Sequence, residues 1–310
     1  MADVCITEYT DPGCPWAWSA EPFRRRLAWL YGDRLDWRVR MVGLSESPED
    51  YLEKGFTPEL MANSFAQIAR DHHMPIATHE RPRMAATLPA CRAVIAARER
   101  LGHPSAARLL RRLRVHHFGG DLLDDFATIA AAARESRIVP AELRGWMTEP
   151  DVEEALRADM AAAREPLPAA RVLDEKLANW SGGRRYTCPS YEITRRSDGV
   201  RIAVPGFQPF AVYDVATANL VPGLDRRDQP ESVEEVLDWA DEPLATQEVA
   251  VVCGLGFLEA REQLGRVAAE NHLGTDGFWT VPRYSRRSRA ESSERASDTT
   301  ASASESASTG

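Results

Sequence analysis

Cys14 stands in the stretch DPGCPWAWSAEP (residues 11–22), with the turn former Asp11-Pro12-Gly13 before it and Pro15 after it. A thiol that follows such a turn and opens a helix meets unpaired backbone N–H groups and the positive end of the helix dipole. Both favour thiolate, the nucleophilic form. Dithiol exchange uses a second thiol three residues on to attack the mixed disulfide and free the substrate, and that position holds Ala17. Four further cysteines, Cys5, Cys91, Cys188 and Cys253, bring the count to five, an odd number with no C-x-x-C spacing. A chain of this size needs no disulfide staples, so neither a disulfide framework nor a zinc ribbon is expected. Cys5 falls in a strand pattern, Cys91 on the apolar face of an alanine-rich helix and Cys253 in a short helix, where packing accounts for each. Cys188-Pro189 sits where a helical region hands over to a strand, a place that tolerates proline.

The elements that must hold Cys14 are legible around it. Residues 3–9 (DVCITEY) alternate as a strand does, and the DPG turn ends them. Trp16, Ala20, Phe23, Leu27 and Leu30 then recur at spacings of four, three, four and three. That is the buried stripe of an amphipathic helix; it puts Trp16 in the core and leaves Trp18 to solvent. Pro22 predicts a kink in this helix. After Gly32, the alternation of Leu35, Trp37, Val39 and Met41 predicts a second strand. Residues 47–180 read as seven helices with almost no strand signal, the seventh from about Ala169 to Trp180. Strand pattern returns at 190–196, turns at Ser197-Asp198-Gly199 and continues in VRIAVPG, after which FAVYDVATANL resumes helix. From Pro230 the order is helix, helix, turn, helix, hairpin, that of a winged helix. From Arg283 onward serine, alanine, threonine and charged residues leave nothing to bury, which predicts disorder.

With 310 residues, 44% of them hydrophobic and 27% charged, the chain can build a sizeable core. Its N-terminus carries acids where a secretory signal needs basic residues, and no segment approaches the roughly 20 apolar residues of a membrane span. A cytoplasmic protein that does not engage membranes is expected. The net charge of −9 argues against nucleic-acid binding, which needs clustered Lys and Arg. In the last helix of the winged-helix-like segment Arg261 and Arg266 are offset by Glu259, Glu262 and Glu270, and the cluster Arg283, Arg286, Arg287 and Arg289 reads as a solvated linker. Adjacent residues on a helix point about 100° apart, so neither His72-His73 nor His116-His117 chelates a metal alone. Surface histidines are expected there, and neither metal nor cofactor is called for.

Strand, cysteine-proline motif, helix with a proline eight residues after the cysteine, strand, helical insertion, residue-proline, hairpin and helix together resemble the DsbA-like branch of the thioredoxin superfamily. The carrying residues are Cys14-Pro15-Trp16-Ala17 with Glu21-Pro22, Cys188-Pro189-Ser190-Tyr191, and Val204-Pro205-Gly206. Within that branch the chain is similar to the FrnE-like proteins, the predicted dithiol-disulfide isomerases, and to the related adaptors of the ClpXP protease. The resemblance covers about residues 1–225. It implies an α/β thioredoxin-like core over 1–46 and 181–225 with an all-helical insertion at 47–180, beside the winged-helix-like segment at 230–282 and a tail at 283–310. It further implies a cis Pro189 facing the active-site turn, with Cys188 across the groove from Cys14. Cys14 and Cys188 would be the catalytic pair, and Pro15, Trp16, Ala17 and Pro189 would contact substrate. Two readings of Cys188 stay open, a resolving thiol or a small buried hydrophobe in a threonine-sized slot. Three functions stay open as well. The first is a thiol-disulfide oxidoreductase or isomerase acting on protein thiols or a small thiol. The second is a non-catalytic adaptor that binds a protein partner. The third is a glutathione-dependent isomerase or transferase, although the serine that such enzymes carry at the nucleophile position is absent.

Overall fold

The computed structural model describes residues 2–240 and 242–281. Its centre is a mixed four-stranded sheet in the order β2-β1-β5-β6, formed by β1 (Val4–Thr10), β2 (Leu35–Met41), β5 (Ser190–Arg195) and β6 (Arg201–Val204). β1 runs parallel to β2 and antiparallel to β5, so the two chain segments, some 150 residues apart, meet at the middle of the sheet. One face is apolar: Val4, Ile6, Leu35, Tyr191, Ile193 and Val204 pack against Leu27 and Tyr31 of α2 (Glu21–Tyr31) and Tyr213 and Leu220 of α11 (Phe210–Leu220). Each such side chain contributes about 1.5–3 kcal/mol on burial.

The insertion consists of α3 (Glu49–Glu53), α4 (Pro58–His72), α5 (Leu88–Leu101), α6 (His103–Phe118), α7 (Phe126–Glu135), α8 (Pro140–Trp146), α9 (Pro150–Ala163) and α10 (Pro168–Arg171). Its core shares one cluster with Val39 and Met41 of β2, which fastens the insertion to the sheet. The helix expected at 169–180 is not there. α10 ends at Arg171, and β3 (Leu177–Trp180) and β4 (Gly183–Tyr186) form an antiparallel hairpin. Two glycines, Gly182 and Gly183, supply the turn; Gly183 has φ +127°, which a β-carbon disfavours.

The predicted helix after Cys14 is two helices. α1 (Pro15–Ser19) stops, Ala20 links, and α2 begins at Glu21 with Pro22 in its first turn, where no N–H is needed. The proline therefore starts a helix instead of kinking one. Because the axis changes at Ala20, a stripe counted across it fails, and the two tryptophans exchange places. Trp16 is 43% exposed, whereas Trp18 is fully buried, its indole N–H donating to the Pro75 carbonyl at 2.9 Å and its ring stacked on Phe118.

The C-terminal region holds α12 (Val233–Ala240), β7 (Leu244–Ala245), α13 (Thr246–Cys253), α14 (Phe257–Val267) and the hairpin β8 (Ala269–Leu273) and β9 (Asp276–Thr280), with strand order β7-β9-β8. Trp29 of α2 enters its apolar core, and Arg25 reaches Glu242 at 2.5 Å and Glu248 at 3.4 Å. At the hairpin tip Gly274 (φ +59°) lies so close to the Ile76 backbone that a β-carbon would overlap it. This segment is thus held by both the sheet domain and the insertion. The expected disorder of 283–310 and the arginine cluster at 283–289 lie outside the described residues. Among the described residues no helix is long and apolar enough to cross a membrane.

Candidate functional site

Cys14 caps α1 in an extended conformation (φ −82°, ψ 115°), held by its own N–H to the Asp11 carbonyl at 3.2 Å and by the Trp18 N–H on its carbonyl at 3.1 Å. The Cys188–Pro189 bond is cis, and Ser190 beyond it pairs with Tyr9 at the end of β1. The pairing of β1 with β5 carries the two cysteines to the same end of adjacent strands, and the Cys14 thiol donates to the Cys188 carbonyl at 3.2 Å. Both thiols are free, and both are nearly enclosed, at 5% and 6% exposed. They share one small cluster with Ala17, Tyr9, Val42, Ala163, Leu177 and Tyr186.

The two sulfurs are held at opposite acidities. A hydrogen bond from the Cys188 side chain, together with the Ala17 and Trp16 amides, keeps Cys14 below the usual thiol range against the opposing effects of burial and of Asp11. Contact with the Cys188 carbonyl favours the protonated thiol and works against that lowering. Burial, followed by the neighbouring Cys14, pushes Cys188 well above the thiol range. Cys14 is therefore the more acidic thiol of the pair. Alanine at position 17 leaves the amide that stabilises Cys14 in place and offers no competing sulfur.

A third group, which the sequence reading passed over, sits behind the turn. Asp11 is fully buried and accepts from the Gly13 N–H at 2.8 Å, the Leu44 N–H at 2.9 Å, the Thr87 hydroxyl at 2.9 Å and the Cys91 thiol at 3.4 Å. Burial raises its pKa, and the hydrogen bonds oppose that rise. Asp11 thus ties the cysteine turn to the β2–α3 loop and to the start of α5. Cys91, expected only to pack, is also one of its donors. Because the Asp11 charge raises the Cys14 pKa, Asp11→Asn should move the pH profile of Cys14 alkylation to lower pH. It should also cost about 1–3 kcal/mol of stability, because an amide cannot accept from all four donors. An unmoved profile would remove Asp11 from the electrostatics of the site.

At the mouth, exposed Trp16 packs against His72, edge-on with ring centroids 5.3 Å apart, and against Phe207, tilted with centroids 5.6 Å apart, making an aromatic rim beside Cys14. Pro15 is half-buried, and Ala17 and Pro189 are buried, so of the residues expected to contact substrate Trp16 presents the largest surface. The histidines are not all at the surface. His117 is buried, its pKa pushed well below the histidine range by burial and by Arg81, and His72 belongs to the rim. Among the described residues no group of His, Cys, Asp and Glu is arranged to hold a metal.

No family model matches the chain. It is 26% identical over 279 residues to the ClpXP adapter protein SpxH of Halalkalibacterium halodurans, a match covering 86% of this chain and 84% of that protein. Among solved structures it is similar to the cytosolic disulfide reductase DsbM of Pseudomonas aeruginosa. The TM-score is 0.50 at 20% identity, over 70% of this chain and 100% of that one. It is also similar to a probable DsbA oxidoreductase of Streptomyces coelicolor, with TM-score 0.51 at 17% identity, over 74% of this chain and 93% of that one. The protein has the DsbA-like thioredoxin fold, the fold of thiol-disulfide oxidoreductases.

Proposed function

We propose that this protein is a thiol-disulfide oxidoreductase or isomerase in which Cys14 is the nucleophile and Cys188 the resolving thiol. The observation that carries this reading is the convergence of Cys14 and Cys188 in one cluster, the Cys14 thiol 3.2 Å from the Cys188 carbonyl at the cis proline bond, and the opposite shifts of the two thiols agree with it. The Cys14 thiolate attacks a substrate disulfide, forming a Cys14–substrate bond and expelling one substrate sulfur as thiolate. Cys188, after losing its proton, attacks Cys14; a Cys14–Cys188 disulfide forms and the second substrate sulfur leaves as a thiol. Substrate is reduced by two electrons and the enzyme oxidised by two, so a thiol reductant must close the cycle. If the released substrate thiolate attacks another substrate disulfide before Cys188 acts, and the thiolate freed there attacks the Cys14–substrate bond and expels the Cys14 thiolate, the net result is isomerisation with no net electrons transferred.

Mild oxidation of the full chain followed by mass spectrometry of its peptides tests the pairing. A Cys14–Cys188 link is expected. Two free thiols, or Cys14 joined to Cys5, Cys91 or Cys253, would remove the resolving role. The similarity to an adapter protein supports a second reading, in which the same cleft docks a protein without exchange. Partner capture that is equally efficient from Cys14→Ser and from wild type would favour that reading.

A further inference from the structure

The insertion leaves a partly enclosed cavity against the cysteine turn. Met61 and Phe65 of α4, with Met84, supply its apolar wall. Gly13 and Thr87, both of which hydrogen-bond Asp11 behind Cys14, close one side. The space open to the centres of water-sized molecules is about 30 Å³, whereas about 10–15 Å³ holds one water, so a group of a few heavy atoms fits. Arg81 enters this space as a cation without an anion. Its guanidinium lies 5.1 Å over the Phe65 ring, its Nη1 is 3.2 Å from the His117 ring, and it donates to the His117 carbonyl. Its neighbour Arg83 pairs with Asp124 at 2.6 Å, but among the described residues no carboxylate stands within ion-pair distance of Arg81. Burial pushes the Arg81 pKa down to about 10, and Asp121, the acid that opposes this, is hydrogen-bonded to His116. Tyr51 of α3 lines the same cavity, and its hydroxyl makes no hydrogen bond among the described residues. Burial holds that phenol well above its usual pKa, so it stays a donor. A desolvated cation and a desolvated hydroxyl, each lacking an acceptor, are costs that one bound anion removes.

We infer that this cavity binds a small monocarboxylic acid, its carboxylate held by Arg81 and Tyr51 and a short apolar stem lying against Met61, Phe65 and Met84. Guanidinium donates charge-assisted hydrogen bonds to a carboxylate, and the phenol adds one more. A phosphate dianion would bring a second charge with no second unpaired cation to meet it, because Arg83 is already paired. A bare halide would leave the apolar wall unused. Apolar walls with a few convergent polar groups are the usual make-up of a small-molecule site. Neither Cys14 nor Cys188 lines the cavity, so the site is independent of the thiol-exchange reading, although its occupant would touch Gly13 and Thr87 of the cysteine turn.

Titration calorimetry of the full chain with butyrate and with its neutral isostere butyramide, at low salt and near neutral pH, tests the site. Butyrate should bind saturably, with one molecule per chain, and about tenfold more tightly than butyramide. Arg81→Gln should weaken butyrate about tenfold and leave butyramide nearly unchanged. Tyr51→Phe, which removes only the hydroxyl, should weaken butyrate about threefold. Arg83→Gln, which removes a cation of the same wall that already has its carboxylate, should change butyrate binding by less than about twofold. The thermal midpoint of each variant checks that it folds, and the comparison of acid with amide needs only the wild-type chain. Equal affinity for butyrate and butyramide, no saturable binding of butyrate, or an Arg83→Gln loss as large as that of Arg81→Gln would overturn the inference. None of these results would bear on disulfide exchange at Cys14.

Discussion

Cys14→Ser should reduce disulfide exchange to the uncatalysed background, whereas Cys188→Ser should keep the first step and stop at a Cys14–substrate mixed disulfide. The asymmetry follows from the two acidities. Cys14 is the more acidic of the two thiols, and a hydroxyl at position 14 has neither the sulfur nor the acidity for attack. Serine at 188 keeps a donor beside Cys14 but cannot displace substrate. With a protein disulfide substrate, wild type should release two product thiols per turnover of reductant, and Cys188→Ser should accumulate a covalent complex visible on non-reducing gels. The pH dependence has a definite sign. The Cys14 pKa is lowered from the ordinary thiol value, so its attack rate should reach a plateau at lower pH than that of an unperturbed thiol. Cys188→Ala, which removes the donor and with it the largest contribution to the lowered pKa, should move the plateau upward. A covalent complex equally abundant in wild type and Cys188→Ser would mean that Cys188 does not resolve it, and an inert Cys14 at every pH would leave the cleft a binding surface.

Much of this arrangement was legible in the residues that carry local information. The DPG turn, the thiol at the helix start, the alternation of Leu35 to Met41 and the Ser197-Asp198-Gly199 hairpin each depend on a few neighbouring residues, and each stands where the pattern put it. Partners distant in sequence were not legible. Asp11 looks like a turn residue, because Leu44, Thr87 and Cys91, which bury it, lie 33 to 80 positions away. The Trp16 and Trp18 environments were exchanged because hydrophobic period assumes a continuous axis, and the axis breaks at Ala20. The β3–β4 hairpin did carry a signal: two glycines at 182 and 183 between short runs are hairpin chemistry. A helical reading of 169–180, carried over from the preceding alanine-rich stretch, hid it. The charged ring around Arg114 was illegible for a further reason. Nothing in the sequence around Arg24 and Arg25 in one helix, or Arg111, Arg112 and Arg114 in another, shows that the fold sets them against Glu8, Glu21, Glu242 and Glu248.

That ring makes the second large effect. Arg114 is 1% exposed and joins Glu8 at 3.1 Å, Glu21 and the Thr10 hydroxyl. Arg111 reaches Glu248 at 2.6 Å, so one network ties β1, α2, α6 and the C-terminal segment together. Replacing a whole buried ion pair by apolar groups is often tolerated, but removing one member leaves the other charge buried and unpaired. Arg114→Met takes the nearest cation from two buried carboxylates, leaving Glu8 only Arg24 at 3.7 Å and Glu21 only Arg111 at 4.0 Å, and should cost about 3–5 kcal/mol, read as a lower urea midpoint with an unchanged slope. The acid limb should move too. Burial pushes the Glu21 pKa up, but Arg114, Arg111, Arg24 and Arg25 together bring it down to about 2. A folded pKa below the unfolded value of about 4.3 gives stability that is complete above the unfolded pKa and is lost as pH falls through the folded one. Without Arg114 the folded pKa rises, that contribution shrinks, and acid unfolding should begin at higher pH than in wild type. Adding Glu21→Gln to Arg114→Met should recover part of the loss, because the neutral amide no longer needs a cation. A loss under about 1 kcal/mol, or an acid transition that stays in place, would mean that water reaches this ring and that packing, not charge, holds Glu21-Pro22 and the helix behind Cys14.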